Sequence, residues 1–377
     1  MLLEDLTIAT ALGKDLAARV APRASTADSK GTLPEEDVID LAKAGYLGLA
    51  SPLELGGIQA SLAYCVAASL ELAKGSPSTA LIANMTLHTI GYQREARSWP
   101  EAIFNYLASA AVTGELLNSA ASEPDLGSPS RGGLPRTTAS VIDGKIVISG
   151  HKTWVTGGKN LSHILVGAAM NESFVTVWVP GNAAGVRWEK TWGESLALRA
   201  SESNDLFLEE VSVPEENLIS TKQPVRPIPN IWFPMLMAAT YLGPAIAARD
   251  EAIIYALERT PTALGKPISS LPKIQRQIGE IDIALIAAKT VLLDTARQWT
   301  GNPEEAANFL PLAAGAKHLA VETSLEVTDK ALRLVGAAAM SKDLPLERHF
   351  RDVRAGLMHP PAGEAALEII GKNALQV

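Results

Sequence analysis

The chain has 377 residues, 47% apolar and 20% charged, which is enough material for a large core and fits two or three domains better than one. A net charge of −8 and a pI near 5.4 argue against a nucleic-acid-binding face, which needs clustered Lys and Arg, and no apolar run reaches the roughly 20 residues of a membrane span. One cysteine, Cys65, excludes a disulfide framework or thiolate metal site, and the early acids of MLLEDLTIAT argue against a secretory leader, so the expected compartment is the cytoplasm.

In chain order, residues 3–22 and 34–49 read as helices. Pro34 stands where a first-turn proline is tolerated, and Glu35, Glu36 and Asp37 suit the positive end of a helix dipole. After a Gly-rich loop at 52–57, residues 60–75 and 77–95 form two apolar helical runs, followed by 99–107 and 110–117. Residues 1–117 are therefore expected to form a helical N-terminal domain.

The period then changes. Two β-rich runs, 137–142 and 145–149, flank Asp143-Gly144, the pair that a type I′ hairpin turn favours because both central residues need positive φ. Further short β runs follow at 163–168, 174–179, 185–188 and 205–213, with turn-rich spacers and no helices between them. That pattern predicts a compact antiparallel barrel or sandwich over 118–228. From Pro234 the helical period returns, with long alanine-rich runs at 235–259, 271–300, 304–335 and 362–375. These predict a helical bundle over 229–377. The expected fold class is α+β, mostly α.

Familiar catalytic motifs are absent: no GxGxxG opening a βαβ unit, no Walker loop, HExxH, CxxC or GxSxG. Ser149-Gly150-His151-Lys152 matches SxxK but falls on a strand turn, and the six histidines show no i, i+4 pair, so no metal is expected. What remains is Trp154 beside Thr156, with Ser122 in the same β region. An aromatic wall flanked by hydroxyls suits a flat heteroaromatic cofactor. The same residues also suit a plain β core with capped strand ends.

Eight phrases in register carry a resemblance. They are 33–36 (LPEE), 52–57 (PLELGG), 122–124 (SEP), 127–128 (GS), 150–156 (GHKTWVT), 211–217 (VSVPEEN), 255–259 (YALER) and 350–354 (FRDVR). In this order they resemble the acyl-CoA dehydrogenase superfamily over essentially the whole chain. The resemblance implies a helical N-domain, a small β domain and a C-terminal four-helix bundle, assembled as a homodimer or homotetramer. It implies FAD, with Ser122 and Thr156 bonding the flavin ring and Trp154 against its face. Arg259 and Gly336 fall at positions that serve the dinucleotide half, and Ser128 at one that contacts an acyl-CoA substrate.

The sequence departs from the family where the chemistry is done. The glutamate base would fall at Pro360, its alternative position at Phe233, and neither is a carboxylate; Glu364 aligns with a residue that is not catalytic. On the dinucleotide side, Leu264-Gly265 follows Arg259 after two extra residues, Pro272 replaces a glutamine, and 333–339 reads RLVGAAA. His359, just before Pro360, resembles a branch in which a histidine followed by proline replaces the glutamate. That branch contains monooxygenases that use reduced flavin, FMN or a flavin supplied by a reductase, and dioxygen. His359 is the candidate catalytic group. The implied functions are a dehydrogenase of an acyl thioester delivering electrons to an acceptor, a flavin monooxygenase on the same fold, or a non-catalytic flavin- or acyl-CoA-binding homologue.

Overall fold

A computed structural model describes residues 6–126, 133–220 and 228–376. Five helices come first: α1 (Leu6–Lys30), α2 (Glu35–Lys43), α3 (Leu62–Gly75), α4 (Pro77–Ala96) and α5 (Glu101–Val112). The sheet strands follow: β1 (Leu117–Ala120), β2 (Thr138–Ile142), β3 (Lys145–Val155), β4 (His163–Met170), β5 (Ser173–Pro180), β6 (Val186–Glu189), β7 (Asn204–Pro214) and β8 (Leu218–Ser220). Helices α6 (Trp232–Glu258), α7 (Pro272–Gln298), α8 (Ala306–Val335), α9 (Leu346–Asp352) and α10 (Gly363–Leu375) complete the chain.

Helices α3 and α4 are buried on nearly every side, which is why their apolar runs show little periodicity. Ser61 and Ser76 cap them, each side chain accepting from a backbone N–H three residues on. Helix α1 runs past Pro22 to Lys30, eight residues beyond the expected stop. Ala24 and Ala27 are buried there, and Arg23 bridges Asp37 at 2.6 Å and Asp40 at 2.6 Å, so tertiary contacts override the proline signal. The two short runs expected at 99–107 and 110–117 are one helix, α5, and Leu117 already belongs to the sheet.

The hairpin forms where Asp143-Gly144 placed it: Ile142 pairs with Lys145, and both turn residues have positive φ, 50° and 71°. The sheet order is β6-β7-β3-β2-β4-β5-β8, with β1 joined to β4. Most pairs are antiparallel, as expected, but β1–β4 and β2–β4 are parallel, so the sheet is mixed. The reason lies in the chain path: β1 enters directly from α5 instead of through a hairpin, and its four residues gave no alternating signal. In the C-terminal region α6 and α8 share a satellite core in which Ala248, Ala252 and Ala256 meet Ala331, Leu334 and Val335. Among the described residues no helix is long and apolar enough to cross a membrane.

Candidate active site

The end of β3 is built by a bulge. Lys152 pairs with Leu206 and Val155 with Asn204, so two residues, Thr153 and Trp154, oppose one on β7. Trp154 takes φ 58°, and its ring turns outward with 61% of its surface exposed, between the buried Thr153 and Val155. A bulge is a way of re-aiming a side chain, and here it presents an indole with no ring partner among the described residues.

Ser122 lies beside it. Its carbonyl accepts the Thr153 amide at 3.0 Å, and its hydroxyl has no hydrogen bond among the described residues. The next residue, Glu123, fixes that segment. Its carboxylate takes Lys152 Nζ at 2.7 Å, Thr137 Oγ1 at 2.6 Å and the Arg136 amide at 2.6 Å, all around a site where Lys152 is 0% exposed. Burial opposes the charge, but the bonds from Lys152, Thr137 and the backbone outweigh it and hold Glu123 down to about 2. Thr156 follows the bulge, buried, with Oγ1 2.9 Å from Ser203 Oγ, which lies 2.8 Å from Ser201 Oγ. Asn118 Nδ2 donates to the Thr156 carbonyl at 2.9 Å. The structure thus brings Ser122, Trp154 and Thr156 to one end of the sheet.

The second half comes from helices. His359 sits in the turn between α9 and α10, half-buried, with Pro360 exposed beside it. Tyr241 on α6, fully buried, hydrogen-bonds His359 Nδ1 through its hydroxyl. The edge of Phe233 faces the imidazole at 6.1 Å between ring centroids. His88 on α4 packs edge-on against Phe233 at 5.0 Å, and its Nδ1 lies 3.2 Å from Asn230 Nδ2. The turn itself is fastened by Lys317 on α8, whose Nζ donates to the carbonyls of Gly356 at 2.8 Å, His359 at 2.8 Å and Pro361 at 3.0 Å. Burial, and then the Lys317 cation, push His359 down to about 4. Burial likewise pushes His88 down to about 3, so both imidazoles are neutral near pH 7. No carboxylate bonds to His359 among the described residues, and Glu364 lies exposed in the first turn of α10.

Hydrogen bonds tie the two halves together. Thr86, two residues before His88, donates to the Leu117 carbonyl at 3.2 Å and accepts the Leu117 amide at 3.0 Å. Asp352, seven residues before His359, accepts the Leu198 amide at 2.7 Å, next to the turn that carries Ser201.

The remaining expected residues sit elsewhere. Arg259 is exposed just past the end of α6, 18 residues beyond Tyr241 and so about 27 Å along the helix. Gly336, with φ 74°, closes α8 at the same distant end, where the satellite core joins the two helices. Within one chain neither joins the His359 cluster. Ser128 lies outside the described residues. No motif in the sequence singled out Tyr241 or Lys317. One cue to Lys317 existed: it interrupts the alanine stripe 313, 314, 316, 320 at a core-facing position.

An outward-facing indole, an unengaged serine hydroxyl and a buried threonine on one strand end fit the ring of a flavin. Helical N-region, mixed sheet, helical C-region and this strand-end site define a class of flavoprotein oxidoreductase. Matches to the acyl-CoA dehydrogenase N-terminal, middle and C-terminal domain models cover residues 4–95, 118–211 and 235–362. A putative acyl-CoA dehydrogenase, YdbM of Bacillus subtilis, is 36% identical over 93% of this chain and 92% of its own. The chain belongs to the acyl-CoA dehydrogenase family. Butyryl-CoA dehydrogenase of Megasphaera elsdenii has the same fold, with a TM-score of 0.87 at 22% identity over 100% of this chain and 99% of its own. TdsC of Paenibacillus sp. A11-2, solved with FMN and indole, also shares it, with a TM-score of 0.85 at 22% identity over 98% and 97%.

Proposed function

We propose that the protein is a flavin-dependent oxidoreductase acting on the CH–CH group of an acyl thioester, with FAD as its flavin. The observation that carries this reading is the Trp154 bulge: it spends an exposed indole at the one strand end where Ser122 and Thr156 also gather. Ser122 and Thr156 would bond the ring and Trp154 would cover one face. A bound flavin would supply hydride transfer to or from the substrate carbons. His359 would face the substrate oxygen or the reacting carbon, held from behind by Tyr241 and Lys317. Phe233 and His88 would exclude water from that side. Arg259, about 27 Å from Tyr241 along α6, and Gly336, at the end of α8, would serve the dinucleotide of a second subunit, in a homodimer or homotetramer. Exposed Ile283 and Ile286 on α7, beside the Arg249–Asp282 pair that links it to α6, supply apolar surface for such an interface.

A second reading, a monooxygenase using reduced flavin (FAD or FMN) and dioxygen, is favoured by one observation. A second neutral imidazole, His88, lies near His359 across Phe233, and no carboxylate bonds to His359 among the described residues. One experiment separates the two. The purified protein is loaded with FAD or FMN, and a panel of acyl-CoAs is added without oxygen. Bleaching of the flavin band near about 450 nm by a thioester supports the first reading. No bleaching, with a flavin-peroxide spectrum when the reduced protein meets air, supports the second. A protein that retains neither flavin contradicts both.

A further inference from the structure

We infer that His359 works as a neutral hydrogen-bond donor through Nε2, in a tautomer set by Tyr241 and on a turn fixed by Lys317. The inference rests on the flavin-site reading above and adds to it the protonation state in which the site runs.

Tyr241 is 0% exposed, and its hydroxyl has a single partner among the described residues, His359 Nδ1. A sealed O–H without an acceptor costs about 1–3 kcal/mol, so the phenol points its proton at Nδ1. Burial also pushes Tyr241 well above its usual ionisation range, so the hydroxyl keeps that proton. An imidazole that accepts at Nδ1 and is neutral must carry its hydrogen on Nε2. Nε2 has no partner among the described residues, so the group offered to a bound molecule is an N–H.

Lys317 acts on the same ring in two ways. An ammonium has three N–H donors, and Lys317 places all three on carbonyls of the turn, Gly356, His359 and Pro361. It is 2% exposed and has no ion pair among the described residues; burial pushes it down to about 8, and Glu322 favours its charge, so below that pH it is a cation beside the imidazole. Asp352 on α9, the carboxyl that bears on Tyr241, is itself pushed up to about 7 by burial. A second positive charge on His359 is therefore disfavoured by Lys317 from α8. It gains nothing from the neutral His88 on α4 or from the protonated Tyr241 on α6. His359 is built to polarise a substrate oxygen by donating a hydrogen bond, and in its resting state it does not take up a proton. Tyr241 and Lys317 are positioning residues for that bond.

The test uses the flavin-loaded protein with 15N-labelled histidine, the His359 signals being assigned by their loss in His359→Gln. Long-range 1H–15N correlation distinguishes a protonated from an unprotonated ring nitrogen. The wild type is expected to show Nδ1 bare and Nε2 protonated, unchanged from about pH 5.5 to 8.5. Tyr241→Phe is expected to populate both tautomers, and Lys317→Met to raise the His359 titration by about one pH unit or more. Should Lys317→Met fail to fold, Lys317→Arg, which keeps the cation, is expected to leave His359 untitrated over the same range. A wild-type Nδ1–H form, a titration near about 6.5, or a Tyr241→Phe spectrum identical to wild type would overturn the inference. None of these readouts needs turnover, so a failure here is distinct from a failure to bleach with thioesters.

Discussion

Trp154 and His359 reach the site by different means. Trp154 is turned outward by one extra residue in β3, and little packing depends on its ring. Trp154→Ala should therefore leave urea unfolding within about 0.5 kcal/mol of wild type. The same change should weaken FAD at least about tenfold, close to 1.4 kcal/mol, in a titration followed by flavin fluorescence. Equal affinity in the variant would remove Trp154 from the site. The phrases 122–124 and 150–156 drew attention to Ser122, Trp154 and Thr156, and the fold brings these three to one end of the sheet. The bulge was not legible, because period-two alternation gives no sign of where a strand gains a residue. The place of His88 was equally hidden. A lone histidine in an apolar helix looks like core, and only the fold reveals that Phe233 and Asn230 share its surroundings.

Among the elements, the turn between α9 and α10, which holds the proposed catalytic His359, is the least legible part of the chain. Helix α9 is seven residues long, LERHFRD, too short and too charged to give a clear apolar stripe. It is held by buried polar bonds instead: Arg351 reaches Asp28 at 2.7 Å, and Asp352 accepts the Leu198 amide at 2.7 Å. Burial pushes Asp352 up to about 7, against the Leu198 bond and the nearby Arg348 and Arg351. The folded state therefore holds a proton that the unfolded state, titrating near 3.8, has already released. Stability from this group is present at low pH, falls as pH rises toward about 7, and levels above it. Asp352→Asn keeps an oxygen for Leu198 and removes the titration. Its stability relative to wild type should improve with rising pH, by up to about 1.4 kcal/mol per unit, and then level off. Urea unfolding at a series of pH values checks this, and parallel curves for the two proteins would contradict it. The long helices were easier to read. Runs at 235–259, 271–300 and 304–335 end within a few residues of α6, α7 and α8; burial along one face gives α7 and α8 their period, while α6, buried on nearly every side up to Ala245, shows as a long apolar run. Pro244 and Pro311 lie inside two of them, in segments where packing decides the backbone.

At the scale of the molecule, the family's three-part order is intact. The strand end holds residue types suited to a flavin ring, and the bundle gathers His359, Tyr241 and Lys317 into one hydrogen-bonded cluster. The lack of a carboxylate at the positions where the resemblance puts the base was legible in the sequence, which has Pro360 and Phe233 there. How His359 is held was not, since Tyr241 lies 118 residues away and Lys317 42. The most direct test of the account is a single-turnover comparison. Flavin-loaded wild type and His359→Ala are mixed anaerobically with an acyl-CoA selected from the panel, and the flavin band is followed in time. The account predicts full bleaching of the wild type and a rate about 100-fold or more lower in the variant, with its flavin still bound. Equal rates in the two proteins, or no bleaching of the wild type by any thioester, would contradict it.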